Sequence, residues 1–171
     1  LRAMNLSCYG HPTIRTPSFD RLSLEGVTFE SCYVQNPVCS PSRCCLFTGT
    51  YVHTLGHRTL WNLLKPYEHN MLETFKQAGY QVRVYGKNDL FAAEAAANST
   101  HVFENRNAAR AGQAENTAGY GQKGYYDFVY RPMAGSAEDT GDWANVQAGI
   151  DFIRSWKAGD PPYVLFLPLL F

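Results

Sequence analysis

Cys39 opens the run Cys39-Ser40-Pro41-Ser42-Arg43, which puts a nucleophilic thiol and a guanidinium within five residues of one another. Ser40 can cap a helix, Pro41 can occupy its first turn, and Gly49 can end it. The pattern therefore sets Cys39 at or just before a helix N-terminus, where free N–H groups and the helix dipole favour an anion. Arg43, one turn in, offers a planar fork of donors suited to an oxyanion. On these residues alone the run could serve a thiolate enzyme, and a small buried cysteine is an equally simple reading. A second polar segment, Gly86-Lys87-Asn88-Asp89, follows the β-rich run Gln81 to Tyr85. His57, in Gly56-His57-Arg58-Thr59, lies close downstream of the expected helix. It can either reach a pocket there or bond to backbone, and the pocket is the reading preferred.

These residues need a scaffold, and the chain's periodicities supply one. Thr16-Pro17 predicts a helix whose apolar contacts are Phe19, Leu22 and Leu24, with Gly26 as its stop. Val27 to Val34 alternates and is rich in β-formers, which predicts a strand. Asn70 to Ala78 predicts a helix, with Met71, Leu72 and Phe75 at helical spacing and Gly79 after it; a strand follows from Gln81 to Tyr85. The stretch from about 92 to 141, rich in Ala, Gly, Asn and Gln, predicts a loop-rich insertion with a short helix near Ala92 to Ala97. Within it, Tyr120 to Tyr130 is aromatic and glycine-punctuated. It suits a substrate-side cover and a plain surface excursion equally well. Trp143, Val146, Ile150 and Ile153 mark an amphipathic helix. The apolar run from Tyr163 to Phe171 predicts a buried strand.

Helices alternating with buried strands mean an α/β protein with a largely parallel sheet flanked by helices. In such sheets ligands bind beyond the carboxyl ends of the strands, where both polar segments fall.

The chain has 171 residues, 45% of them hydrophobic and 14% aromatic, which suits a folded domain rather than a disordered one. Fifteen basic and fifteen acidic side chains cancel, and no basic block interleaved with aromatics occurs, so nucleic acid is not an expected partner. The longest apolar run is too short to span a bilayer, so no transmembrane segment is expected. Five cysteines give neither a CxxC…CxxC zinc pattern nor an even disulfide set.

Cys39-Ser40-Pro41-Ser42-Arg43 followed by Leu46-Phe47-Thr48-Gly49 resembles the signature C-x-P-S-R-x-x-L-x-T-G of the type I, formylglycine-dependent sulfatases of the alkaline phosphatase-like superfamily. Every fixed position matches. Cys8-Tyr9-Gly10-His11-Pro12, Thr16 to Leu22 and Gly86-Lys87 also resemble family elements in the same order, so the likeness covers most of the first ninety residues and returns in the terminal strand. It implies the N-terminal part of a sulfatase catalytic domain, incomplete at both ends.

The resemblance implies that a formylglycine-generating enzyme oxidises Cys39 to formylglycine. A hydrated aldehyde has one hydroxyl to attack sulfur and a second whose collapse to the carbonyl expels sulfate. It also implies a divalent cation, calcium by the family's general use, with Cys39 as both nucleophile and metal ligand. Arg43 would hold the formylglycine and its charge, and Lys87 would bind the sulfate oxygens, with His57 at the substrate pocket. The substrate would be a sulfated small molecule or carbohydrate. The setting would be secreted, periplasmic or lysosomal, although no signal peptide is seen.

Two departures qualify this. Many sulfatases read G-K-W-H where this chain has Gly86-Lys87-Asn88-Asp89, and an Asp beside sulfate repels it unless it pairs with a cation or faces elsewhere, so Asp89 is not given the histidine's role. The family's paired metal-binding Asp and its later metal motif are expected outside these residues, so the 171-residue chain alone is expected to show no sulfatase turnover. Metal-dependent hydrolysis of an aryl sulfate by it would refute that. The alternatives are a phosphonate monoester or phosphodiester hydrolase of the same superfamily, a non-catalytic sulfatase-like binding protein and, more distantly, a cysteine redox enzyme.

Overall fold

The computed structural model describes residues 3–106, 122–123 and 135–169. The chain divides into two compact units, residues 1–34 (with residue 171) and residues 35–170.

In the first unit, helix α1 spans Pro17–Glu25, where Thr16-Pro17 predicts it. The Thr16 side chain does not cap it. Ser7 Oγ takes the Thr16 N–H at 2.8 Å and donates to Asp20 at 2.7 Å, tying the segment before the helix to its first turn. The expected apolar face is not buried: Phe19, Leu22 and Leu24 are all exposed. Nor do Val27 to Val34 form a strand. A strand needs a neighbouring ladder to take its N–H and C=O groups, and none is presented to this segment among the described residues. The Tyr9 hydroxyl instead donates to the Phe29 carbonyl at 2.9 Å.

The second unit is an α/β layer structure. Strands β1 (Gln81–Tyr85), β2 (Val102–Glu104) and β3 (Tyr163–Phe166) form a parallel sheet in the order β2-β1-β3. The register sets Val82 opposite Val164 and Arg83 opposite both Val102 and Leu165. β1 matches its expected bounds because its β-branched run is buried as a central strand must be. β2 was not anticipated: three residues inside an Ala- and Asn-rich stretch are too short for a periodicity to register. β3 is shorter than the apolar run suggested and only half-buried.

Helices cover both faces. On the Val82 and Val84 side lie α2 (Cys39–Thr48), α3 (Met71–Gln77) and α4 (Ala95–Ser99). Cys44, Phe47, Leu64, Leu72, Leu90 and Phe91 pack there as one core, with the Phe47 and Phe166 ring centroids 4.9 Å apart. Each such side chain contributes roughly 1.5–3 kcal/mol of transfer free energy. Asn70 caps α3, accepting the Glu73 N–H, and its amide donates to Ser99 Oγ at 2.9 Å. Helix α4 begins three residues later than the expected short helix, and Lys76 donates to the Ala97 and Thr100 carbonyls at its end.

On the other face lies α5 (Gly141–Ser155), capped by Thr140. Its buried stripe is Asn145, Ala148, Gly149 and Phe152 rather than the expected Trp143-to-Ile153 set, of which Trp143 and Ile153 are exposed. The reason is proximity: a Cβ on Gly149 would come 3.2 Å from Leu167, so the helix sits close and small residues must face the sheet. The Arg83 guanidinium lies over the Phe152 ring at 4.4 Å. No described helix is long and apolar enough to cross a membrane. Tyr120 to Tyr130 lies outside the described residues apart from 122–123.

Candidate functional site

Cys39 is the first residue of α2, with Val38 in extended conformation as an N-cap that offers no side-chain acceptor. Ser40 is not the cap. It is fully buried in the first turn and donates to the Leu60 carbonyl at 3.2 Å. Because Pro41 has no N–H, the helix start shows only the Cys39 and Ser40 amides without an intrahelical acceptor. Gly49 ends the helix as expected, left-handed at φ 70°, its N–H bonded to the Cys45 carbonyl. The Cys39 thiol is free and exposed.

The buried flank of the same helix differs in chemistry. Cys44 is fully buried, and desolvation followed by the nearby Glu68 charge pushes its thiol from 9.0 up to about 12. A thiol held neutral in this way packs and does not react.

Arg43 lies four residues from Cys39, on the same helix face. Its guanidinium donates to the Lys87 carbonyl at 3.1 Å, across 44 residues of sequence. That bond brings the helix start and the turn after β1 together at the carboxyl end of the sheet. The turn is rigidly built. Gly86 has φ 137°, and a Cβ there would lie 2.4 Å from the Pro168 carbonyl oxygen, so only glycine fits. The Lys87 N–H donates to that oxygen at 2.8 Å. The Asn88 side chain accepts from the Leu90 and Phe91 amides and donates to the Phe91 carbonyl, an Asx turn that consumes its polar groups.

The Lys87 ammonium lies 2.8 Å from Asp89 Oδ2. It approaches off the hydrogen-bonding direction, so Oδ2 has an ion-pair neighbour but no formed hydrogen bond. This is the cation that Asp89 requires if it is to sit beside an anion.

His57 is placed differently from the pocket position preferred on sequence. Its side chain is 1% exposed, so it does not face open solvent. Nδ1 lies 2.7 Å from the Asn62 carbonyl, which can only accept, so Nδ1 carries the hydrogen. Nε2 faces the buried Glu68 carboxylate at 3.5 Å, and Glu68 also accepts the Lys65 N–H at 2.7 Å. The segment His57 holds ends in the Leu60 carbonyl that receives Ser40, and then in Leu64, which bridges to Leu90 and Phe91. Sequence reasoning missed Ser40 and Glu68 as supports, since nothing in their spacing distinguishes them. Asn88 was findable, because Asn after a strand is a turn former.

Among the described residues, no three His, Cys, Asp or Glu side chains come together as a metal site. Cys39 stands alone and Asp89 is engaged with Lys87. Among the described residues Cys39 and Asp89 are too few to hold a divalent cation.

A family model described as Sulfatase matches residues 1–158. Among curated proteins, the N-acetylglucosamine-6-O-sulfatase of Bacteroides thetaiotaomicron is 37% identical over 82 residues, covering 48% of this chain and 15% of the relative. The N-acetylgalactosamine-6-sulfatase of Sus scrofa is 38% identical over 98 residues, again 48% of this chain and 18% of the relative. The chain thus spans less than a fifth of either relative's length. A solved structure described as in complex with its substrate D-glucosamine-2-N,6-O-disulfate aligns with TM-score 0.67 at 24% identity, covering 96% of this chain and 31% of that one. The phosphonate monoester hydrolase of Agrobacterium radiobacter aligns with TM-score 0.64 at 18% identity, covering 98% and 38%. Both likenesses concern the fold.

Proposed function

The chain belongs to the sulfatase family, and from that premise we propose that it carries the nucleophile-bearing part of a sulfuric ester hydrolase acting on a sulfated carbohydrate. The observation that supports this most is the Arg43 bond to the Lys87 carbonyl. It brings two segments that lie far apart in sequence to one end of the sheet, with an exposed Cys39 at the helix start beside them.

In this reading Cys39 is converted to formylglycine and becomes the nucleophile. Arg43 steadies that residue's charge from the same helix face, and Lys87 takes the sulfate oxygens. His57 supports the substrate side indirectly, by fixing the segment on which the first turn of α2 rests. The cation of the family's chemistry, calcium by its general use, would polarise the sulfate when bound. The described residues supply too few ligands for it. A sulfated carbohydrate is the class chosen because several of the curated relatives, the two described above among them, are named for sulfated amino sugars.

Intact mass and turnover test the proposal together. In the complete protein that carries this chain, made in a host with the modifying enzyme, the Cys39 peptide should be lighter by about 18 Da, a thiol replaced by an aldehyde. Cys39→Ala should abolish hydrolysis of an aryl sulfate. An unmodified Cys39 together with full turnover of the Cys39→Ala protein would overturn it. A retained thiol without turnover would instead favour a sulfatase-like binding protein.

A further inference from the structure

We propose that Asp89 is a specificity-determining residue, a fixed negative charge that admits monoanionic sulfate esters and disfavours dianionic phosphate monoesters. The inference rests on Lys87 as the sulfate-binding residue and concerns what stands next to it.

Sulfate and phosphate monoesters are both tetrahedral and nearly equal in size, so shape discriminates poorly between them. Charge differs: near neutral pH a sulfate ester carries one negative charge and a phosphate monoester close to two. At this site the anion meets Lys87 and Arg43, with the Asp89 carboxylate 2.8 Å from the Lys87 ammonium. An anion seated on Lys87 therefore lies in the field of the Asp89 carboxylate, whatever other charges complete the site. A second charge on the ligand doubles that repulsion.

The carboxylate cannot easily leave. Its side chain is 16% exposed against 36% for Lys87, so the lysine is the more open of the two. The turn that holds both is fixed by the Asn88 bonds, by Lys87 N–H to Pro168, and by Arg43 to the Lys87 carbonyl. Oδ2 is buried, with the Lys87 ammonium as its ion-pair neighbour. Two unit charges about 6 Å apart, in an environment between protein surface and water, repel by enough to change an equilibrium about tenfold. That is the discrimination expected for each extra ligand charge.

The test uses the complete protein with Cys39 in its mature form and three aryl esters sharing one leaving group: the sulfate, the phosphate monoester and the methyl phosphate diester. In Asp89→Asn the kcat/KM of the phosphate monoester relative to the sulfate should rise about tenfold. The diester, a monoanion like the sulfate, should keep its ratio to the sulfate. Asp89→Glu, which keeps the charge, should keep the discrimination. The unaltered protein offers an independent reading: its monoester-to-sulfate ratio should climb between pH 7 and 5, as the phosphate takes up its second proton near a pKa of about 6. The proposal is overturned by a monoester ratio that does not move in Asp89→Asn, whatever that ratio does with pH. It is equally overturned by a diester ratio that moves as much as the monoester's. Lys87→Ala separates the two layers. Surviving sulfate turnover there sinks the sulfate-binding role of Lys87, whereas lost turnover beside an unmoved Asp89→Asn ratio sinks only the role of Asp89.

Discussion

Helices α1 and α2 start from similar sequence instructions and reach opposite ends. Each has a proline in its first turn, each is followed by a glycine, and neither is capped by a side chain. Yet α1 buries none of its nine residues, while α2 buries Ser40, Pro41, Cys44, Cys45 and Phe47. Local signals decide that a helix forms and where it stops. What the helix buries depends on the surface it meets, and most helical stability in proteins comes from that packing. Helix α2 meets the Val82 and Val84 face of the sheet and can therefore hold Cys39 and Arg43 in a defined place.

The contrast can be broken by mutation. Phe47→Ala, which removes the ring packed on Phe166, should cost about 4 kcal/mol in chemical denaturation. His57→Ala should cost about 3 kcal/mol, because it empties a fully buried ring site and leaves the Asn62 carbonyl without its Nδ1–H donor. Its effect should extend to Ser40, seen as faster hydrogen exchange in the first turn of α2. Alkaline titration gives a smaller, graded effect. Folded Cys44 keeps its proton to about 12 against an ordinary 9.0, so between those values the unfolded state binds fewer protons. Stability should then fall as pH rises above 9.0, by at most about 1.4 kcal/mol per pH unit, and Cys44→Ala should remove that component. Leu24→Ala in α1, at a side chain 88% exposed, should change stability by no more than about 0.5 kcal/mol. A large loss there would mean that α1 is packed after all.

The same contrast explains what could be read from the residues. Gln81–Tyr85 and Gly49 as a stop were legible because each rests on short-range sterics or a buried β-branched run. The Val27 to Val34 strand failed because a strand is a property of a pair, and alternation in one segment says nothing of its neighbour. The face of α5 was misread because Gly149 and Ala148 earn their burial by close approach, which a hydrophobicity pattern undervalues. At the site, Cys39, Arg43 and Lys87 stood out through their motifs. Glu68 and Ser40 act through carbonyls and rings that only the fold brings near, so their part was invisible in one dimension.

The contacts that fix the start of α2 also bear on when it forms. Arg43 reaches Lys87 and Cys44 reaches Leu90 across 44 and 46 residues, and Leu64 joins Leu90 as a third tie. Loops of that length must close before any of these contacts contributes, and chains dominated by such contacts fold slowly. The helix can flicker into shape early, but its first turn acquires a settled address only after β1 and the turn beyond it are in place. The helix start that carries Cys39 should therefore settle late in folding, and substitutions that slow the ordering of residues 86–91 should delay it without touching it, as pulse-labelled hydrogen exchange would show.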